Sequence, residues 1–383
     1  MARYYKTNNS TLLKAACAVV FVLFAFSYLY FFQADLLAMV QHVLSNGATS
    51  YEPFIGTVII TAVLYLVHIG VRKLGGLGEI CHAFTYLPSL LLLVALTDVE
   101  GCVGGRLQTG VWLWLSPLLI LSYVAVSLFL RFRKVGLMAA PAAFAMADMW
   151  KNLLFMACMF IGVCLLGNSD RVFHYRLRME NLLRGGAYAE ALQVGEKSAD
   201  ADVNLTMLRA YALSKSRLLG ERLFEYPLTG GSDALLPDGH VVECLFFPEE
   251  RIFKSLSIRR KGDMRAMEYL LYIERNGLAM KSAADYMLCG YLLDKDLDAF
   301  VKAIQGKYNT TSETLPKHYK EALILYTHIR ANPVLVYHDE VMDADYADFQ
   351  RLEGEYSDRR ERESYVRDVY GNTYWYYYFY HKG

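Results

Sequence analysis

The sequence predicts an all-α integral membrane protein, with a bundle of five membrane-spanning helices followed by an α-solenoid of helical hairpins. Long apolar blocks fill residues 1–167, and 55% of all residues are hydrophobic, at a mean hydropathy of +0.20. Residues 168–383 instead carry apolar positions at helical spacing between charged ones. The expected domains are therefore a transmembrane domain, 1–167, and a soluble helical-repeat domain, 168–383.

The charge distribution follows the same division. Residues 1–167 contain ten Lys and Arg against six Asp and Glu, whereas residues 168–383 contain 29 against 33. Because the second part has no Lys- or Arg-rich face, the sequence predicts no nucleic-acid partner. It also predicts no cofactor, since the glycine-rich segment 227–240 lacks the Gly-Lys-Ser/Thr ending of a phosphate loop. That segment is expected to be a surface connection between hairpins.

The five apolar blocks are each close to the ~17–25 residues that a membrane-spanning helix needs. They cover residues 15–32, 54–71, 83–97, 111–130 and 152–166. Because hydrocarbon offers no hydrogen-bond partners, each block must pair its backbone groups internally as a helix. The first block is expected to be an uncleaved signal anchor, since no A-x-A-like cleavage site follows its long apolar run.

The placement of basic residues predicts the orientation, because cytoplasmic loops are enriched in Lys and Arg. The outer loops 33–53 and 98–110 hold a single basic residue, Arg106. The opposite side holds nine, namely Arg3, Lys6, Lys14, Arg72, Lys73, Arg131, Arg133, Lys134 and Lys151. We therefore expect a multi-pass protein of a bacterial inner membrane, with a cytoplasmic N-terminus and, after five crossings, an extracytoplasmic C-terminal domain. If the short third block does not cross, this orientation inverts.

Pairs of amphipathic helices make up the second part. In "MENLLRGGAYAEALQVGEKS" a Gly185-Gly186 break separates two helical patterns, and similar pairs follow it. These pairs resemble tetratricopeptide repeats, with Ala191 and Ala266 at the small-residue position and Tyr211 at the first-helix aromatic. The pattern's tryptophan is missing, and the spacing departs from the ~34-residue period. The resemblance implies stacked helical hairpins.

A second resemblance rests on "ETLPKHYKEALILYTHIRANP" and on the order of several spans before a helical tail. Both features are similar to a family of uncharacterised bacterial membrane proteins. This resemblance implies the architecture, and it assigns no catalytic residue.

The chain closes with "TYWYYYFY", in which Tyr374 to Tyr380 are seven consecutive aromatic residues. The stretch is too short to cross a bilayer, which takes about 20 residues. We expect it to cap the last hairpin with one set of rings and to present the others to the membrane or a partner. In the charged helix before it, Tyr365, Val366, Val369 and Tyr370 are expected to face inward.

Few residues indicate chemistry. None of the seven cysteines forms a CxxC pair, and Cys244 and Cys289 are expected to be free thiols, with a disulfide as the alternative. The acidic segment "YHDEVMDADYAD" begins like a calcium loop at Asp343 and Asp345 but does not continue the pattern, so no metal site is predicted. His68, inside the second apolar block, is expected to be a neutral imidazole bonded to a neighbouring helix, with a functional group as the alternative.

Two functions follow from this organisation. The first is a non-enzymatic, membrane-anchored scaffold that offers a helical surface to a protein or peptide in the cell envelope. The second is a membrane glycosyl- or polymer-transferase, in which outer-loop carboxylates act as a base or metal ligands. Those carboxylates are Asp35, Glu52, Asp98 and Glu100. A transferase requires these carboxylates to lie close together at one site, whereas a scaffold does not. The sequence assigns no catalytic residue.

Overall fold

A computed structural model describes residues 2–74, 79–132, 146–257, 264–310 and 312–381. It divides the chain into two compact units, Met1–Leu177 and Arg178–Gly383, here called the membrane unit and the C-terminal unit. Both are mostly helical. The basic residues Arg133 and Lys134, which contribute to the predicted orientation, lie outside the described residues.

The membrane unit contains six helices and one hairpin in its described part. The helices are α1 (Ala2–Ser27, continued by a π turn, Tyr28–Phe32), α2 (Ala34–Leu44), α3 (Pro53–Leu74), α4 (Leu87–Thr97, preceded by a 3₁₀ stretch, Glu79–Tyr86), α5 (Trp112–Phe132) and α6 (Met146–Leu166). The strands are β1 (Val99–Val103) and β2 (Arg106–Thr109), and α7 (Arg171–Gly185) follows α6.

Four helical segments among the described residues are long and apolar enough to cross a membrane. They are Thr11–Phe32, Pro53–Lys73, Trp112–Phe129 and Met149–Leu166. They correspond to four of the five predicted blocks, and the chain is therefore a multi-pass membrane protein whose helices contact lipid. The third block forms only the shorter apolar helix His82–Thr97, so helix length alone does not establish the predicted fifth span.

The third block lies in the middle of the membrane unit. Leu90, Leu93 and Val94 are at most 2% exposed, and α4 packs against α3, α5 and α6. Its polar groups bond to neighbouring helices: the Ser89 hydroxyl, for example, donates to the Leu64 carbonyl at 2.8 Å. Leu91, Leu92, Ala95 and Leu96 are only half-buried, so α4 has one packed side and one partly exposed side.

Hydrogen bonds at two levels align this segment with α6. The Ala83 N–H donates to Asn152 Oδ1 at 2.8 Å, and sixteen residues later the Asn168 side-chain amide donates to the Val99 carbonyl, also at 2.8 Å. The two segments therefore run parallel over the same number of residues. The bonds span about 24 Å, at 1.5 Å per residue.

The β hairpin was not predicted. Val99–Val103 pairs antiparallel with Arg106–Thr109 across a two-residue turn in which Gly104 and Gly105 have φ of 57° and 75°. Glycine adopts positive φ without a steric cost, and two such residues form the tight turn that joins twisted strands. The Gly-Gly pair between short strand-forming runs was the available signal.

The C-terminal unit continues from α7 with a series of short helices. These are α8 (Tyr188–Gln193), α9 (Val203–Ser216), α10 (Leu219–Arg222), α11 (Glu250–Leu256), α12 (Ala266–Arg275), α13 (Lys281–Leu293), α14 (Leu297–Ile304), α15 (Lys317–Ile329), α16 (Glu340–Glu355), α17 (Arg359–Tyr370) and α18 (Tyr374–Tyr380). Two 3₁₀ turns, Leu223–Glu225 and Ser232–Leu235, lie between α10 and α11.

Consecutive helices of this unit pack on one another, as the predicted pairs require. The break at Gly185-Gly186 is present, with Gly186 at φ 77°, and α8 packs on α9. However, α10 also contacts α13 and α15, which lie far along the chain. In a simple solenoid each repeat contacts only its neighbours. The structure thus establishes a helical unit, and the finer prediction of a solenoid does not follow from it.

Segment 227–240 is not the surface connection that its composition predicted. Ala234, Leu235 and Leu236 are at most 2% exposed, and their 3₁₀ turn packs on α9, α12 and α13. The Ser232 N–H and hydroxyl both donate to the Asp294 carboxylate, at 2.8 and 2.6 Å. The apolar residues inside this polar-looking stretch decide its position because burying them stabilises the unit.

Ala191 provides a test of the helix packing, since it is fully buried in α8 against α9. Ala191→Leu adds three carbons to a filled contact, and we expect it to destabilise the protein by ~1–3 kcal/mol. Thermal unfolding of the full-length chain in detergent measures this loss. Ala189→Leu, the same change at an exposed position of α8, is the control and should leave the melting temperature unchanged. Equal melting temperatures for the wild type and both variants would show that Ala191 does not lie in a tightly packed contact.

Candidate functional site

The aromatic stretch forms helix α18, which packs into the C-terminal unit. Tyr374, Trp375 and Tyr377 are at most 6% exposed, and Thr373 caps the helix by accepting the Tyr376 N–H. The buried hydroxyls have partners: Tyr374 donates to the Leu292 carbonyl, and Tyr377 to the Leu293 carbonyl, at 3.2 and 2.9 Å. Burial raises the pKa of both phenols, so they stay neutral donors. The inward-facing half of the prediction for this stretch agrees with these contacts.

A buried carboxylate holds α18 against α15. Glu321 Oε2 accepts the Tyr374 N–H at 2.7 Å and the His318 Nδ1–H at 2.8 Å. His318 Nε2 accepts the Phe224 N–H at 3.3 Å, which requires the proton to reside on Nδ1. The Glu321 carbonyl accepts the Trp375 indole N–H at 2.8 Å. Because Glu321 and His318 are at most 1% exposed, these groups depend on one another for hydrogen bonds.

The helix before the aromatic stretch corrects part of the prediction. Val366 and Tyr370 face inward on α17, but Tyr365 and Val369 are 45% and 58% exposed. Residues four apart lie on the same side of a helix. Val366 and Tyr370 form the buried pair, and Tyr365 and Val369 form a second pair, rotated toward solvent. Phe379 of α18 is also 41% exposed. Tyr365 stacks on Tyr356 and Phe379 on Phe349, and contact of their exposed surfaces with the membrane or a partner stays a prediction.

On another part of α15, a cleft of about 390 Å³ opens between residues 310–313 and 335–339. Lys320 and Asp339 form an ion pair in it, with Nζ and Oδ2 3.1 Å apart. The remaining lining is mainly hydroxyl-bearing and apolar, from Thr310, Ser312, Glu313, Leu335, Val336, Tyr337 and His338. Such a cleft offers both hydrogen-bonding groups and apolar surface to a ligand.

The charges in the cleft are held in defined states. Burial alone would raise the pKa of Asp339, but the Met342 N–H and the Lys320 ammonium hold that pKa below its usual value. Asp339 thereby serves as the N-cap of α16 through the Met342 N–H. Burial raises the pKa of Tyr337, which keeps its phenol neutral. The cleft therefore contains the Lys320–Asp339 ion pair and neutral hydroxyls, together with the side chains of Glu313 and His338.

Beside the cleft, an aliphatic strip is exposed to solvent. Its members, Ile329, Val334, Val336 and Val341, are 36%, 70%, 56% and 67% exposed. The segment that carries them is fixed from beneath. The Val334 N–H donates to the Tyr326 hydroxyl and the Tyr337 N–H to Thr327 Oγ1, at 3.3 and 3.1 Å. The outward direction of these side chains is therefore set by the backbone.

The acidic segment next to the strip does not form a calcium loop. Asp343 and Asp345 lie within α16, whose helical backbone cannot wrap oxygen ligands around an ion. Asp343 instead lies between two imidazoles, 3.3 Å from His338 and 3.5 Å from His328. The inward face of α16 holds Tyr346 and Phe349. Among the described residues no group of three His, Cys, Asp or Glu side chains has the geometry of a metal site.

The outer-loop carboxylates have structural partners. Asp98 Oδ2 accepts the Trp112 and Leu113 N–H groups at 2.7 and 3.3 Å, which caps α5, and Glu52 accepts the Ile55 N–H at 2.7 Å near the start of α3. Asp35 lies in the first turn of α2, and Glu100 is exposed on β1. Helix capping accounts for Asp98 and Glu52, and the transferase hypothesis stays a prediction.

His68 bonds to the neighbouring 3₁₀ stretch, Glu79–Tyr86. The Thr85 hydroxyl donates to the His82 carbonyl at 2.6 Å, so its oxygen accepts the His68 Nδ1–H at 3.2 Å. The imidazole also stacks on Tyr86, with ring centroids 3.7 Å apart. These contacts give His68 a packing role inside the membrane unit.

Cys244 and Cys289 form no disulfide with each other. Cys289 is fully buried in α13, with Sγ 3.6 Å from the Tyr319 hydroxyl, and burial raises the pKa of its thiol. A buried thiol of this kind behaves as a small apolar residue. The side chain of Cys81 lies outside the described residues.

The Glu321 carboxylate makes the attachment of α18 testable. Glu321→Ala leaves the His318 and Tyr374 N–H groups buried without an acceptor, at about 1–3 kcal/mol for each. We expect faster amide hydrogen exchange throughout residues 374–381 of the full-length protein. Glu353→Ala, which removes only the half-buried bond from the Tyr380 hydroxyl, is the matched control and should change exchange much less. Unchanged exchange in Glu321→Ala would show that other contacts hold α18.

Comparison with known proteins identifies similarity in the same part of the chain. Residues 254–381, which contain the cleft, the aliphatic strip and α18, match a family of unknown function (DUF6057). The predicted resemblance to an uncharacterised family is confirmed over this C-terminal third. No curated protein and no solved structure matches the chain. The protein thus combines the helices of a multi-pass membrane protein with a C-terminal region similar to DUF6057.

Proposed function

We propose that this protein is a membrane-anchored scaffold whose C-terminal unit binds a protein or peptide partner in the cell envelope. The observation that carries the proposal is the aliphatic strip beside the cleft, Ile329, Val334, Val336 and Val341. All four lie within residues 329–341, and groups of exposed apolar side chains commonly mark interaction sites. Because hydrogen bonds fix the strip's backbone, binding requires little ordering of this surface.

The cleft favours a peptide over a purely apolar ligand. A peptide carries backbone N–H and C=O groups, which the hydroxyls of Thr310, Ser312 and Tyr337 complement. Its apolar side chains would lie on Val334 and Val336. Lys320 and Asp339 neutralise each other and Glu313 adds a carboxylate to the lining, so the favoured partner segment is apolar and carries no acidic side chain.

The scaffold itself is proposed to be a degenerate stack of tetratricopeptide-like hairpins. Support comes from the Gly185-Gly186 break between α7 and α8 and from Ala191 and Tyr211, which are both buried. The contact of α10 with α15 would then close the stack on itself and stiffen it. The domains are proposed to be 1–167 and 168–383.

The third apolar block is proposed to be a fifth crossing. Eight residues of 3₁₀ helix and eleven of α-helix are continuous over Glu79–Thr97. At about 2.0 and 1.5 Å per residue they extend roughly 32 Å, which matches the ~30 Å hydrocarbon core. The parallel alignment of this segment with α6 supports the same conclusion. The N-terminus is then cytoplasmic and the C-terminal unit extracytoplasmic, in a bacterial inner membrane.

Reporter fusions test the crossings. A reporter active only outside the cytoplasm should be active after Gly383, silent after Lys134, and active when inserted at the hairpin turn between Gly104 and Gly105. The hairpin insertion tests whether the third block crosses the membrane, because the reporter directly follows that block. A reporter that is silent at Gly104 and at Gly383 but active after Lys134 would contradict the five-crossing topology.

Site-specific photocrosslinking in the native envelope tests the binding surface. A photoreactive residue in place of Val336 should yield discrete crosslinked proteins, and Val334→Asp in the same chain should abolish them by placing a charge on the apolar strip. A photoreactive residue at Val241, which is 66% exposed elsewhere in the C-terminal unit, is the control and should yield none of these products. Identical products at Val336 and Val241, or products insensitive to Val334→Asp, would contradict the proposed surface.

A further inference from the structure

A groove in the membrane unit lies between α2 and the first turns of α3. Leu37, Val40 and Leu44 form one wall, on α2, and Ile60 lies on the opposite side, on α3. Its volume is about 330 Å³, within the range of small-ligand sites. The walls are apolar, so water gains no hydrogen bonds there.

Neutral polar groups form the rest of the lining. Gln41, Ser45 and Tyr51 carry these groups, and none of the groove's residues bears a formal charge. Gln41 donates to Thr49 Oγ1 at 3.0 Å, which ties α2 to the following loop. The Tyr51 ring packs against α3 at Gly56, where any Cβ would clash with the ring. Glycine at this position therefore fixes the edge of the groove.

The groove is continuous with the lipid-facing surface of the unit. It reaches from Tyr51, just before the spanning segment Pro53–Lys73, to Ile60, about 10 Å along the helix at 1.5 Å per residue. On the same turns of α3, Ile55 and Ile59 are 59% and 57% exposed. That depth corresponds to the boundary between headgroups and acyl chains. A molecule in the groove would therefore enter from the membrane.

We propose that the groove between α2 and α3 binds one acyl chain of a membrane phospholipid. The chain would contact Leu37, Val40 and Ile60, and the glycerol ester region would meet Gln41 and Tyr51. Because the lining is uncharged, the headgroup would extend into water without a charged partner, and anionic and zwitterionic lipids should bind alike. This site is independent of the proposed scaffold surface.

A photoreactive phospholipid tests the proposal. The full-length protein is reconstituted in phosphatidylcholine vesicles that contain a tracer phosphatidylcholine with a diazirine on its acyl chain, and labelled peptides are mapped. We expect label concentrated on residues 37–45, and loss of most of it in Ile60→Trp and in Val40→Trp, which fill the groove from opposite walls. Ile59→Trp, on the lipid-facing side of the same turn, should keep the label and serves as the control.

Competition experiments distinguish a phospholipid in the groove from a free fatty acid. Replacing the tracer's choline headgroup with glycerol should leave labelling unchanged, and excess free fatty acid should compete weakly, since it lacks the ester region. Labelling of residues 37–45 that is the same in the wild type and both groove-filling variants would overturn the proposal. Stronger competition by fatty acid than by phospholipid would also overturn it, in favour of a fatty-acid site. Melting temperatures of the variants, compared with that of Ile59→Trp, exclude a folding defect as the cause of lost label.

Discussion

The requirement that every buried polar group has a hydrogen-bond partner organises both units of this protein. An unpaired polar group away from water costs about 1–3 kcal/mol, which is a large part of the stability of most domains. In the membrane unit, Asn152 meets this requirement for the Ala83 N–H. In the C-terminal unit, the carboxylate of Glu180 accepts the N–H groups of Leu245, Phe246 and Phe247 at 2.7–2.8 Å, and Glu321 acts likewise on α18. Each of these side chains positions a segment distant in the sequence.

This requirement explains why the aromatic stretch is rich in tyrosine. A phenol buries a large apolar ring and still supplies a hydroxyl, so it can fill space against helix ends whose carbonyls need donors. Tyr374 and Tyr377 donate to the last two carbonyls of α13, bonds that phenylalanine could not make. The single tryptophan of the stretch, Trp375, donates its indole N–H to the Glu321 carbonyl. The rings of α18 thus combine packing with hydrogen bonds to two helices, α13 and α15.

The apolar side chains that remain exposed are also informative. Val334 and Val336 are exposed although their segment is tied to Tyr326 and Thr327, so local looseness does not account for their exposure. In the membrane unit, the groove beside α2 lies next to helices whose outer surfaces face lipid. The aliphatic strip suits an apolar peptide because it adjoins hydroxyls and an ion pair. The groove beside α2 suits an acyl chain because it adjoins lipid.

The sequence by itself determined the properties that depend on local composition and periodicity. Apolar runs located the four long membrane helices, and Gly185-Gly186 located a helix break. Tertiary structure decided the other features. These are the packing of α4 against three helices, the burial of Leu235, the cleft beside α15, and the hydrogen-bond partners of Glu321. Glu321 and Tyr374 are 53 residues apart, and Asn152 and Ala83 are 69 apart. Periodicity describes which face of a helix is apolar, whereas the partner of a buried carboxylate is chosen by three-dimensional packing, which no local pattern encodes.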